Sequence, residues 1–135
     1  MMGFELDHIG IATESLDAVK TFYEAMGLKL DHVEEVKSEK VKVGFFALNN
    51  RCNIELLEPT SDSGTVAKFL EKRGPGIHHI CLRVGNIRET IKRLVNGGVT
   101  MIHTEPFKGA HNCEVAFIHP KSTGGVLIEL SQPNA

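Results

Sequence analysis

The chain has 135 residues, 41% of them hydrophobic, with seven Phe and no Trp; this is an ordinary globular balance, with enough apolar surface to offset the ordering entropy of one domain. Fifteen Lys and Arg against seventeen Asp and Glu give a net charge of −2 and a pI near 6.4, which argues against general nucleic-acid binding. No apolar run approaches the roughly 20 residues that span a bilayer, the N-terminus lacks an apolar signal segment, and Cys52, Cys81 and Cys113 form no CxxC pair, so a reduced cytoplasmic setting without membrane or nucleic-acid partners is expected.

Alternation predicts a strand over residues 4–12. A helix follows, with Ser15 as N-cap, apolar positions Leu16, Val19, Phe22, Tyr23 and Met26, and Gly27 as its stop. Three strands are expected over 29–36, 41–48 and 52–57, with Asn49-Asn50 as the tight turn between the last two. A short amphipathic helix points Val66, Phe69 and Leu70 inward and ends at Gly74-Pro75. The pattern then starts again: a strand over 77–84, a helix opened by Asn86 and Glu89 in capping-box spacing, and strands over 99–103, 113–119 and 125–131.

The second half repeats the first. Asp7-His8-Ile9-Gly10-Ile11 matches His78-His79-Ile80-Cys81-Leu82 at an offset of 71, which also carries Leu16 onto Ile87 and Gly27 onto Gly98. Asn53-Ile54-Glu55-Leu56-Leu57-Glu58-Pro59 matches Leu127-Ile128-Glu129-Leu130-Ser131-Gln132-Pro133 at an offset of 74, three loop residues longer. The expected fold is therefore α+β: two tandem βαβββ modules forming a curved mixed sheet around a metal-containing cavity. Residues 1–135 make one domain, with module one over 4–60, a linker helix within 61–75 and module two over 76–133.

Strand periodicity assigns the faces. If the bulky Ile9, Ile11, Ile80 and Leu82 pack on the helices, His8 and His79 point the other way, beside the small Gly10, Ala12 and Cys81. By the same rule Glu55 and Glu129 oppose their aliphatic neighbours. His8, Glu55, His79 and Glu129 thus form a candidate ligand set, since imidazole and carboxylate suit divalent first-row ions and a dication relieves the cost of placing two carboxylates together. A single strand histidine is more often structural; the recurrence of the His–Glu pair at matched positions separates these four from the rest. His78 falls on the helix side; His32, His103 and His119 sit near strand ends, as surface or supporting residues. His111, in the Gly109-Ala110-His111-Asn112 turn, and Lys121 read as exposed loop residues with the option of meeting a ligand.

Paired modules carrying His8, Glu55, His79 and Glu129 resemble the vicinal oxygen chelate superfamily, which includes glyoxalase I, extradiol dioxygenases and fosfomycin-resistance proteins. Within it, Ile54 through Pro59, Phe69-Leu70-Glu71-Lys72-Arg73-Gly74 running into Gly76-Ile77-His78-His79-Ile80, and the stretch from His119 through Leu130 are similar to the methylmalonyl-CoA epimerase family. The resemblance runs from about Leu6 to Gln132 and implies a cytosolic homodimer that interconverts (R)- and (S)-methylmalonyl-CoA, a small-molecule CoA thioester. It implies one divalent ion (Co, Zn, Ni or Mn) on His8, Glu55, His79 and Glu129, with Glu129 doubling as the base that removes the C2 proton. Some relatives carry Gln at the position of Glu55, and some carry Glu on a middle strand of module one where this chain has Val43, so the second proton carrier is left open. A glyoxalase I-like lactoylglutathione lyase and a metal-free small-molecule binding module of the antibiotic-resistance kind are the competing readings; an intact ligand quartet weighs against the latter.

Overall fold

The computed structural model describes residues 3–134. The described residues divide into two compact units, one of residues 8–78 and the other of residues 79–134 together with 3–7. The first unit holds most of β1 (Glu5–Ala12), then α1 (Leu16–Ala25), β2 (Leu30–Val36), β3 (Val41–Ala47), β4 (Asn53–Pro59) and α2 (Thr65–Arg73). Its strands run in the order β2-β3-β4-β1, antiparallel except for the parallel pair β4 and β1. The second unit holds most of β5 (Gly76–Arg83), then α3 (Ile87–Asn96), β6 (Phe107–Lys108), β7 (Cys113–Ile118) and β8 (Ile128–Pro133). Its order is β5-β8-β7-β6, again with a single parallel pair, β5 and β8. Each unit is thus a mixed sheet with a helical crossover between its parallel strands, the α+β arrangement that the repeated pattern predicts.

The duplication extends to individual hydrogen bonds. Ser15 caps α1 by accepting from the Ala18 amide, and Asn86 caps α3 by accepting from the Glu89 amide. A second acceptor reaches each helix start from the neighbouring strand. Glu58 Oε1 takes the Leu16 N–H at 2.8 Å, and Gln132 Oε1 takes the Ile87 N–H at 2.8 Å. Glu58 and Gln132 are repeat partners, as are Leu16 and Ile87, so both halves tie the strand that bears the candidate glutamate to their own helix by the same device. Both helices stop at a left-handed glycine, Gly27 (φ 98) and Gly98 (φ 90).

The helix side of each sheet is the apolar core. In the first unit Leu16, Phe46 and Leu56 are buried together with Ile11, Val19, Tyr23 and Ile54 around them. Gly44 faces this layer: a Cβ there would lie 2.9 Å from Leu16 Cδ1. In the second unit Ile87 and Ile91 pack on Ala116, Ile118 and Leu130.

Several local expectations are corrected. Of the apolar positions expected along α1, Phe22 and Met26 are 60% and 59% exposed, because α1 buries a narrow stripe through Leu16, Val19 and Tyr23. The turn before β4 places its left-handed residue at Arg51 (φ 65) rather than at Asn49-Asn50. Residues 99–103 do not form a strand; Met101 alone bridges Ile118, and the Ile102 and His103 amides converge on one carbonyl, that of Phe117, which ends the ladder. The pairing resumes after Pro106 as the two-residue β6, which alternation did not signal. β8 starts at Ile128 rather than Gly125, since Gly124 and Gly125 both adopt positive φ (77 and 98) in the turn before it. Among the described residues, no helix is long and apolar enough to cross a membrane.

Candidate functional site

In the first unit, the β1–β4 register sets Gly10 opposite Glu55, so His8, Gly10 and Ala12 share the face of Glu55 and Leu57, away from α1. His8 Nδ1 lies 3.0 Å from Glu55 Oε2, and both side chains are 8% exposed. Across the β3–β4 ladder Phe45 pairs with Glu55 and Val43 with Leu57. Val43 therefore stands on this same face, buried at 3%, where it can exclude water but cannot carry a proton.

The second unit repeats the arrangement. Cys81 and Phe117 are the neighbours in register of Glu129 on β5 and β7. His79 Nε2 lies 3.0 Å from Glu129 Oε1, with the side chains 7% and 11% exposed. The Phe117 ring meets His79 edge-on, 5.6 Å between centroids. On the same face Arg83, opposite Ser131, binds Asp7 through Nη2 at 2.8 Å and Glu5 through Nη1 at 3.0 Å. Burial works against the guanidinium charge, but hydrogen bonds and attraction from Asp7 and Glu5 outweigh it and hold its pKa above the usual value.

The sequence-predicted residues are thus brought together as two buried imidazole–carboxylate pairs, His8 with Glu55 and His79 with Glu129. A buried carboxylate against an imidazole nitrogen is a nitrogen and oxygen donor set that fits a divalent first-row ion, and each unit carries one such pair. His78 turns to the α2 side, where its ring meets Phe69 at 5.1 Å. His119 Nδ1 accepts the Lys121 amide at 3.1 Å in a 3₁₀ turn, and Lys121 itself is exposed. His111 is exposed in a left-handed turn with Asn112 (φ 57 and 54).

Two features of the Glu129 face escaped the sequence reading. Ser131 Oγ is buried without a hydrogen-bond partner among the described residues. His103, expected as a surface or supporting residue, is half-buried against the rings of Phe107 and Phe117, at 4.6 and 5.8 Å, and its Nδ1 accepts the Phe117 amide at 3.1 Å, a fixed contact that periodicity did not signal. Repetition was the available signal: the offset of 71 that relates the modules carries His32 onto His103. His32 likewise stacks on Phe45, the counterpart of Phe117, at 4.5 Å. Beside α3 a cleft of about 340 Å³ includes Arg88, Lys92 and Glu105, and Arg88 is engaged by Glu114 at 3.0 Å.

Residues 7–117 match the family model described as "Glyoxalase/Bleomycin resistance protein/Dioxygenase superfamily". The uncharacterized protein YqjC of Bacillus subtilis is 41% identical over 129 residues, covering 95% of this chain and 91% of that one. The mitochondrial methylmalonyl-CoA epimerase of Dictyostelium discoideum is 38% identical over 130 residues, covering 95% and 78% respectively. Among solved structures, a single-residue variant of the Streptomyces coelicolor methylmalonyl-CoA epimerase in complex with 2-nitronate-propionyl-CoA superposes with a TM-score of 0.93 at 34% identity, covering 97% of this chain and 95% of that one. The chain belongs to the glyoxalase/bleomycin resistance protein/dioxygenase superfamily, on the branch that contains the methylmalonyl-CoA epimerases.

Proposed function

We propose that this protein is an isomerase that interconverts (R)- and (S)-methylmalonyl-CoA, with His8, Glu55, His79 and Glu129 together holding one divalent ion (Co, Zn, Ni or Mn). The two modules act as one domain, and the enzyme works as a cytoplasmic homodimer. The observation that carries the reading is the buried His–Glu pair repeated at equivalent positions of two modules, in a chain related over nearly its whole length to epimerases that act on a CoA thioester. When bound, a divalent ion supplies Lewis-acid stabilisation for the negative charge that develops when C2 is deprotonated, and a template for the substrate's two oxygens.

The chain's own residues do the rest. Glu129 accepts the C2 proton, which is acidic because it lies between a thioester and a carboxylate. His79, 3.0 Å from Oε1, orients that carboxylate. Phe117 and Val115 in the second unit, and Phe45 and Val43 in the first, line the same faces with apolar side chains and limit the access of water that would quench the carbanion. Inversion requires protonation from the opposite side of C2, because a single base returns the proton to the face it left. Val43 is not that second carrier.

The test is C2 exchange in deuterated water, followed together with epimerisation from either pure epimer. Glu129→Ala and His79→Ala abolish both, while His78→Ala, changed on the α2 side, keeps substantial turnover. Full turnover by Glu129→Ala removes the base assignment; lactoylglutathione formation from methylglyoxal and glutathione, without epimerase activity, moves the chain to the glyoxalase I reading.

A further inference from the structure

We propose that His103 is a fixed neutral hydrogen-bond donor, giving its Nε2–H to the substrate acyl oxygen that gains negative charge when C2 is deprotonated. The inference rests on the epimerase reading above and deepens it, adding a catalytic residue on the Glu129 face.

The tautomer follows from geometry. His103 Nδ1 accepts the Phe117 backbone N–H at 3.1 Å, so the single proton of the neutral ring stands on Nε2. No described residue accepts from Nε2; the other contacts of the ring are with Phe107 and Phe117. A half-buried N–H without a protein acceptor is a donor held ready for a ligand. Its position is specific as well: Phe117, which holds it by amide and ring, is the cross-strand neighbour of Glu129 and the edge contact of His79.

Charge state suits this role. Burial lowers the pKa of His103 below the ordinary histidine value, against a smaller upward pull from Glu129. An imidazolium here would also set a second donor against the Phe117 amide. A neutral ring makes a poor proton carrier, since giving up the Nε2 proton would leave an imidazolate. It makes a good donor to an oxygen whose charge grows during reaction, because it forms no ion pair with the ground-state substrate and needs no reorganisation. The repeat supplies a contrast. His32, its equivalent, also stacks on its phenylalanine, but its two nitrogens face Asp31 and Glu34, so only His103 keeps Nε2 for a ligand.

The metal-loaded protein tests this with His103→Asn, whose Oδ1 keeps the acceptor for the Phe117 amide while removing Nε2–H, and with His103→Gln, which restores an N–H at similar reach. Asn is expected to slow C2 exchange and epimerisation in parallel, by about 10²–10³-fold, the loss typical of one such donor. Binding gives a readout apart from turnover: 2-nitronate-propionyl-CoA, which carries the negative charge, weakens by a similar factor, propionyl-CoA changes less than threefold, and Gln recovers at least tenfold over Asn. Metal content remains at the wild-type value in both variants, and the Asn variant, which keeps the acceptor for the Phe117 amide, unfolds thermally at the wild-type temperature at pH 7.5. Equal affinity of wild type and Asn for the nitronate overturns the proposal, as does a Gln variant no better than Asn. Exchange that persists while inversion is lost would make His103 a proton carrier and overturn it too. A wild-type protein that does not epimerise methylmalonyl-CoA refutes the epimerase reading itself; one that does, with an unaffected Asn variant, refutes only the role of His103.

Discussion

Gln132 is the clearest single point at which the strand bearing Glu129 and its helix depend on each other. Its Oε1 accepts the Ile87 N–H at 2.8 Å, and Ile87 is fully buried. Gln132→Ala removes the acceptor of an N–H on this buried residue, so the helix N-terminus loses the partner of one of its orphan donors. That penalty is about 1–3 kcal/mol, and we expect about 2 kcal/mol. For 135 residues an unfolding entropy of about 0.28 kcal/mol/K converts this to roughly 7 °C in Tm. Urea unfolding at pH 7, with an unchanged m-value, is the appropriate measurement. Gln132→Glu restores the oxygen, adds a charge favoured by the helix dipole and copies the Glu58–Leu16 contact of the other module, so it should be at least as stable as wild type. A Gln132→Ala variant within 0.5 kcal/mol of wild type, or a Gln132→Glu variant as unstable as Ala, would refute the strand-to-helix cap as a stabilising device.

Gly44→Ala should cost about 1–3 kcal/mol by overpacking, since the new methyl would sit 2.9 Å from Cδ1 of Leu16, which is only 1% exposed; a urea midpoint at the wild-type value would show that the α1 layer can yield. Chelator-stripped protein should regain stability with one divalent ion per chain, by about 2.7 kcal/mol at a hundredfold excess over Kd; elemental analysis finding two ions per chain would mean that each His–Glu pair binds alone. Because the folded pKa of His103 is lowered by burial, the unfolded chain binds that proton more tightly. The stability it contributes is therefore present above the unfolded value of about 6.5 and is lost as pH falls below it. Urea midpoints at pH 7.5 and 5.5 should fall further apart in wild type than in His103→Asn, and an equal fall in both would contradict the direction.

Internal repetition made most of the architecture legible. Matching strands, caps and stop glycines recur in both halves, and local periodicity alone assigned His8, Glu55, His79 and Glu129 to the side away from the helices, because a strand's alternation and a helix's apolar stripe are properties of neighbouring residues. The sequence by itself therefore determined the βαβββ order, the two helix starts at Ser15 and Asn86, and the four candidate ligands. Tertiary structure decided what depends on distant partners. It broke the expected strand at 99–103, because two amides there share the Phe117 carbonyl. It left Phe22 and Met26 in solvent, because the sheet offers α1 only a narrow contact stripe. It joined each histidine to its glutamate through registers between strands more than forty residues apart. His103 belongs to this second class: its tautomer and free Nε2–H follow from an amide fourteen residues along the chain, a bond that composition and periodicity do not encode.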